Sequence, residues 1–312
     1  MSSSITQPVD IGNRIEIGSD TANALLSVRA HVPPPDLDGG LLRAEVRQSY
    51  QALDVPGLDR LRSVAGQFLT GSDSDGFLVV GCAAVLETVG DPDIALDLLT
   101  IVLTALGTPL RVFDNWELWK PITSRLDVEP MRAFGIGHNP LHLDLVNATN
   151  PPDISGLLCL QPDPLGEGFS LVSQVRPAVD RLASETRRLL AEPVFTDGAF
   201  YDVSGIGREY RPFPILDGLP PEEGFVRFTA KMLGDRDPED PATQAARALE
   251  RELVAGQQRF RLERGDLLLI NQHLNCHGRE PLGHGQEQIP EGSRRVLRQV
   301  FIRTSPHTLA GR

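Results

Sequence analysis

His142 and Asp144 stand two residues apart in Asn139-Pro140-Leu141-His142-Leu143-Asp144. On a strand, positions i and i+2 project from the same face, so an imidazole and a carboxylate can be offered side by side to one metal ion. By itself H-x-D is a common chance pattern, and a turn histidine beside a solvated aspartate reads the same way. A third donor, His277, stands far along the chain, where the apolar run Leu267-Leu268-Leu269-Ile270 gives way to Asn275-Cys276-His277-Gly278-Arg279. Two donors close together and one remote is how a β-barrel builds a three-ligand face on a metal, leaving the other positions open. The pattern fits the two-histidine-one-carboxylate arrangement of non-haem iron(II) sites.

A second chemical feature follows His277. Arg294-Arg295-Val296-Leu297-Arg298-Gln299-Val300-Phe301-Ile302-Arg303 alternates as a strand, placing Arg295, Leu297, Gln299 and Phe301 on one face. An arginine pointing into a core is costly unless a carboxylate meets it, and a bound dicarboxylate would do so through a bidentate fork. Arg294, Arg298 and Arg303 read instead as an outward ladder. Weaker candidates are Arg208 and Arg211, in a segment that either closes over a substrate or is a solvated loop, and Glu117, either a substrate contact or a strand-edge charge. Cys276 should turn away from His277 into a core. His273, four residues before His277, would pair with it for zinc on a helix, but the preceding run reads as strand and no H-E-x-x-H is present.

The elements that must position these residues follow from periodicity. Residues 1–20 are expected as a loose arm and residues 21–312 as a single domain. Residues 36–69 carry apolar positions at three- and four-residue steps and predict helix; Gly76–Gly81 predicts a buried strand. Asp91-Pro92 opens a helix that Gly107 closes, and Asp240-Pro241 opens one that runs to Val254. Residues 111–175 read as short strands and turns, residues 177–190 as an amphipathic helix, residues 195–225 as a loop-rich stretch. A lid or insert is expected over about 195–256. Strands are expected over 266–271 and 295–303. Helices first, then strands around an inserted helical segment, favour α+β with a β-rich core. The chain has no G-x-G-x-x-G after a strand and no P-loop motif.

Composition narrows the partners. The 312 residues carry 42 acidic and 30 basic side chains, a net charge of −12, so phosphate backbones and anionic membranes are disfavoured. The basic residues are arginine except for two, Lys120 and Lys231, a bias that reads as genomic base composition. Three cysteines without C-x-x-C spacing suggest a reducing, cytoplasmic setting. The most apolar run, Ile94 to Leu110, is interrupted by Asp97 and too short to span a bilayer. A small molecule is the expected partner.

Together, H-x-D at 142–144, Gly265-Asp266-Leu267-Leu268 leading to His277-Gly278-Arg279, and the arginine strand resemble the iron(II)/2-oxoglutarate-dependent dioxygenases, in particular the clavaminate synthase-like group of the taurine dioxygenase superfamily. The similarity runs from Gly76-Phe77-Leu78-Val79-Val80 to Phe301-Ile302-Arg303-Thr304 and includes Ser170-Leu171-Val172-Ser173-Gln174. The resemblance implies a double-stranded β-helix, or jelly roll, with flanking helices and an inserted lid. It implies that His142, Asp144 and His277 bind Fe(II), that Arg295 grips the distal carboxylate of 2-oxoglutarate with Ser170 beside it, and that O2 is consumed. Decarboxylation of 2-oxoglutarate to succinate would be coupled to hydroxylation of a C–H bond in an amino acid or an amino-acid-derived natural-product intermediate. Desaturation or cyclisation is the same oxidation with a different outcome.

This chain departs from the pattern at three points. The group usually carries glutamate where Asp144 stands, though aspartate serves in the wider superfamily; being a carboxylate, it disfavours the halogenase variant. Gln299 occupies a position where relatives often hold an acidic substrate group with arginine. Phe228-Thr229-Ala230-Lys231 lacks the acidic lid residues of relatives that act on basic amino acids. The competing expectations are a non-catalytic jelly-roll binding protein and a zinc hydrolase built on His273 and His277.

Overall fold

The computed structural model describes residues 12–70, 74–112, 115–197, 212–219, 224–234 and 236–304. Its centre is the apolar run expected to be a buried strand: Phe77–Gly81 forms β4, buried along its whole length. Elements are numbered in chain order. Strand β4 lies between β1 (Arg14–Glu16), which is parallel to it, and the antiparallel β11 (Asp266–Asn271). The sheet continues through β8 (Ile154–Gln161), β13 (Val296–Arg303), β5 (Thr108–Leu110), β3 (Leu41–Leu42) and β2 (Leu37–Asp38), with β6 (Lys120–Thr123) also paired to β13. A second sheet orders β10 (Gln258–Phe260), β9 (Ser170–Gln174), β12 (Asn275–Arg279) and β7 (Asn139–His142). The protein is therefore a mixed α/β fold dominated by a large, mostly antiparallel sheet.

The period-two pattern of the strands decides which sheet faces touch what. Phe77, Val79, Leu268, Ile270 and Leu297 of the large sheet meet Val172 and Phe260 of the small one in one apolar cluster. The Phe77 and Phe260 rings stack there at 5.6 Å. The alternate residues Leu78, Val80, Leu267, Leu269, Val300 and Ile302 face the other way, against α1 (Ser19–Arg29), α4 (Ala83–Val89) and α5 (Pro92–Leu103). Behind the small sheet, Leu141, Leu171 and Cys276 pack with α6 (Val175–Asp180), α7 (Ser184–Leu190) and α8 (Pro241–Ala255). Each fully buried leucine or isoleucine contributes about 1.5–3 kcal/mol, so these layers hold both faces of each sheet.

Local chemistry sets the helix ends. Asp91 caps α5, its carboxylate accepting from the backbone N–H groups of Asp93 and Ile94. Asp240 caps α8 through the Thr243 N–H, and Gly256 ends it. Strand β11 begins after the Gly265 turn and ends at Asn271, as the apolar run indicates.

Four expectations need correction. Residues 12–20 are not a loose arm: Asn13, Ile15 and Ile17 are buried as β1 adds to the sheet edge, and α1 starts at Ser19. Residues 36–69 are not all helix. Leu37–Leu42 form a small hairpin, because Gly39 and Gly40 turn the chain at positive φ, before α2 (Ala44–Gln51) and α3 (Leu58–Ala65). Helix α5 stops at Leu103, four residues before Gly107. The helix expected over 177–190 is two, α6 and α7, separated at Arg181–Ala183. Among the described residues no helix is long and apolar enough to cross a membrane.

Candidate metal centre

Strand register brings the two histidines together. Strands β7 and β12 are antiparallel neighbours, and His142 and His277 are direct Cα partners. Their rings lie 4.5 Å apart between centroids. Strand β7 ends at His142, and the chain turns immediately: Leu145, at φ 61°, is the one non-glycine residue with positive φ among those described. Asp144 thus sits in the turn rather than on the strand, yet on the side of the imidazoles. Its Oδ1 is 3.6 Å from His142 Nε2 and its Oδ2 is 3.4 Å from His277 Nε2. One donor atom from each of the three residues lies within 4.8 Å of the others, close enough to share one ion.

The surroundings prepare these groups as ligands. His142 Nδ1 donates to the Pro140 carbonyl at 2.8 Å, which leaves Nε2 with its lone pair facing inward. Burial lowers the His277 pKa to about 4, so its imidazole is neutral at pH 7. Burial works to raise the Asp144 pKa, but His277, His142 and the Ser155 hydroxyl outweigh it and hold the carboxyl well below the usual carboxylate range. Asp144 is oriented by three partners: Ser155 Oγ at 2.8 Å and Gln299 Nε2 at 3.1 Å donate to Oδ2, and its own N–H donates to Gln272 Oε1 at 2.8 Å. Two imidazole nitrogens and one ionised carboxylate oxygen within reach of one another fit a divalent first-row metal.

The triad lines a cavity of about 680 Å³ between the sheets. Arg295, Leu297, Gln299 and Phe301 all line it, as strand alternation requires. Arg295 is 7% exposed and makes no side-chain hydrogen bond or ion pair with any described residue. Burial lowers its pKa, but a guanidinium starts so far above neutral that it stays charged. Ser170 is buried on β9 and also lines the cavity. The charged lining is unbalanced: Lys120, Arg132, Lys231, Arg279 and Arg295 stand against Glu129, Asp144 and Asp197.

Other candidates fall elsewhere. Glu117 is exposed and pairs with Arg298 at 3.1 Å, so it is a strand-edge charge and not a cavity residue. Arg303 is not part of an outward ladder; it is 3% exposed and reaches Asp153 and the Pro151 carbonyl. His273 does not join His277. Its Nε2 faces Asp153 at 2.9 Å and its Nδ1 faces the Gly224 carbonyl, which removes the basis for the zinc pair. Cys276 points into the core behind the small sheet, as alternation indicates. Arg208 and Arg211 lie outside the described residues. Sequence reasoning missed Ser155 and Gln272, the groups that orient Asp144, because no local pattern marks a residue that acts through a neighbour. It also missed the two cavity lysines, whose rarity was the available signal.

Comparisons with known proteins agree with this geometry. The family model described as "Taurine catabolism dioxygenase TauD, TfdA family" matches residues 125–300, a span that contains the triad and Arg295. Among solved structures, an asparagine oxygenase in complex with Fe(II), 2S,3S-3-hydroxyasparagine and succinate is similar at 21% identity and a TM-score of 0.72, covering 94% of each chain. The non-heme iron oxygenase OrfP in complex with Fe and alpha-ketoglutaric acid is similar at 18% identity and a TM-score of 0.65, covering 96% of this chain and 98% of that one. OrfP in complex with Fe, succinate and (3S)-hydroxy-L-Arg gives 16% identity and a TM-score of 0.68, covering 94% of each chain. At these identities the structures establish the shared fold.

Proposed function

The chain belongs to the TauD/TfdA dioxygenase family, and we propose that it hydroxylates an unactivated C–H bond of an amino acid or amino-acid-derived small molecule while 2-oxoglutarate is decarboxylated to succinate. The observation that carries this reading is the convergence of His142, Asp144 and His277 in one cavity with a buried Arg295 that has no side-chain partner among the described residues. Iron(II) bound there with 2-oxoglutarate and O2 would supply the oxidising chemistry. The asparagine and arginine derivatives bound in the similar structures support an amino-acid substrate. The two facing sheets are read as a double-stranded β-helix; of the insert expected over 195–256, Asp197, Thr229 and Lys231 line the cavity, α8 packs behind the small sheet, and residues 198–211, 220–223 and 235 lie outside the described residues.

Each residue has a defined role in this reading. His142, with Nδ1 donating to the Pro140 carbonyl, turns Nε2 inward, His277 is a neutral imidazole, and Asp144 presents an ionised carboxylate steadied by Ser155 and Gln299. Arg295 receives the distal carboxylate of 2-oxoglutarate through a charge-assisted pair, with the Ser170 hydroxyl beside it. That carboxylate offsets the cost of burying the guanidinium, so the cosubstrate is held by a group with which no described side chain pairs. The apolar walls from Ile122, Leu157 and Leu297 keep water from the reacting centre.

The test is anaerobic addition of iron(II) and 2-oxoglutarate, followed by exposure to oxygen. A metal-to-2-oxoglutarate absorption band and subsequent succinate formation are expected, and both should vanish in His142→Ala and His277→Ala. A protein that forms neither band nor succinate would refute the oxygenase reading. Product mass then separates outcomes: one added oxygen marks hydroxylation, and two lost hydrogens mark desaturation or ring closure.

A further inference from the structure

The chain has only two lysines, and both line the cavity that holds the triad. Were they mere remnants of an arginine-rich composition, they would stand on the surface, where the two cations interchange most easily. Instead they reach the cavity from different elements. Lys120 opens β6 and is the Cα partner of Gln299, whose amide donates to Asp144 at 3.1 Å. Lys231 lies in a single 3₁₀ turn, Ala230–Leu233, two residues after Thr229, which bridges to His142. The Lys120 ammonium rests 3.5 Å from the centre of the Trp116 ring and 5.0 Å from that of Phe134. An aromatic wall positions a cation without neutralising it. Among the described residues neither ammonium has a hydrogen bond or an ion pair.

We propose that Lys120 and Lys231 are specificity-determining residues that form an anion-binding pair, selecting a dicarboxylic amino acid as substrate, one carboxylate for each ammonium. This rests on the oxygenase reading and deepens it. The charges in the cavity support it. Arg132 is paired with Glu129, a divalent metal would offset Asp144, and the distal carboxylate of 2-oxoglutarate would offset Arg295; Lys120, Lys231 and Arg279 then stand against Asp197 alone, and this positive excess is available to the substrate. Holding unpaired cations away from bulk water destabilises the empty protein, so their presence is explained by a ligand rather than by the fold. Lysine is also the better shape for such a site, because a compact point charge with three donors reaches one carboxylate in a crowded space, where a guanidinium fork would demand planar access. A basic side chain would meet repulsion, and an amide side chain, with only the α-carboxylate to offer, would leave one ammonium unmatched.

Two measurements on the full chain test the inference. In the first, the anaerobic iron(II)–2-oxoglutarate complex is titrated with L-aspartate, L-glutamate, L-asparagine, L-glutamine and L-arginine, following its visible absorption. At least one dicarboxylic acid should bind with a Kd at least about tenfold below those of the amides and arginine. Lys120→Met and Lys231→Met should each weaken that binding by about ten- to a hundredfold, and Lys→Arg variants should recover part of it. In the second, which needs no metal, the lysines are acylated with acetic anhydride and read by mass spectrometry; the same dicarboxylic acid should protect both. The inference is overturned if amides or arginine bind as tightly, if the methionine variants keep the preference while still folded, or if neither acid perturbs the complex or protects the lysines. A missing absorption band with intact lysine protection would instead sink the oxygenase reading and leave the anion pair standing.

Discussion

At the scale of single residues, the candidate centre depends on groups that touch no ligand. Asp144 Oδ2 accepts from both Ser155 and Gln299, and these bonds fix which way its lone pairs point. Ser155→Ala should therefore weaken iron(II) affinity by about tenfold, and Ser155→Ala with Gln299→Leu by up to about a hundredfold, measured by competition with a chelator. Unchanged affinity in the double variant would show that the carboxylate is positioned by the turn alone. Lys120 gives a pH prediction whose sign is fixed by its environment. Burial lowers its pKa from 10.5 to about 8 in the folded protein, with Asp144 pulling weakly the other way. Below about pH 8 both folded and unfolded chains hold this proton, and the fold bears the full cost of the buried charge; between about 8 and 10.5 the unfolded chain binds more protons, so stability rises with pH. Lys120→Met should stabilise the metal-free protein at pH 7 by up to about 3 kcal/mol, and the gap should close toward pH 10. Urea unfolding of both proteins at the two pH values checks it; a gap independent of pH would assign the effect to packing.

At the scale of elements, the site is a matter of strand register. His277 and His142 face each other only because β12 and β7 approach closely, with a register shift between His277 and Arg279. Gly278 permits that approach: a Cβ there would come within 2.7 Å of the Asn139 carbonyl oxygen and 3.2 Å of the Leu141 nitrogen, both rigid backbone. Gly278→Ala should push the strands apart, cost about 1–3 kcal/mol in unfolding free energy, and lower iron(II) affinity together with stability. A variant that loses stability but binds iron normally would show that the strain is absorbed elsewhere. Much of this was legible in the sequence, because burial on two faces leaves a plain signature. The apolar runs of β4 and β11, the alternation that aims Arg295 and Gln299 inward, the capped starts of α5 and α8, and the turn of Cys276 away from His277 follow from period and end residues. The hairpin at Leu37–Leu42 and the edge strand β1 did not, since two- and three-residue strands carry too little pattern. Helix periodicity likewise gave no sign of the break at Arg181–Ala183. The roles of Ser155, Gln272 and Lys120 belong to pairs that meet only after folding, and no single-chain spacing announces them.

At the scale of the whole molecule, the cavity must stay open between two sheets whose strands come from distant parts of the chain, and one buried polar cluster ties those parts together. Asp153, just before β8, accepts from the Thr304 N–H at 2.8 Å beyond the end of β13 and lies 3.4 Å from Arg303 Nη1. Its Oδ1 also faces His273 Nε2 at 2.9 Å in the turn between β11 and β12. His273 in turn stacks on Phe225, with ring centres 4.0 Å apart, which joins residues 224–225 to the cluster. Gln272, its neighbour, accepts from the Asp144 N–H, so the cluster adjoins the candidate centre through one residue. Arg303 and Asp153 are nearly inaccessible, with side chains 3% and 7% exposed, and removing the carboxylate would strand a buried guanidinium. Asp153→Ala should therefore cost about 3–5 kcal/mol, whereas Asp153→Asn, which keeps a hydrogen-bonding oxygen, should cost less. Iron stoichiometry separates architecture from ligation. His273→Ala and Asp153→Asn should still bind one iron per chain when folded, while His142→Ala and His277→Ala should bind none. Loss of iron in folded His273→Ala would contradict this division and make His273 a ligand after all.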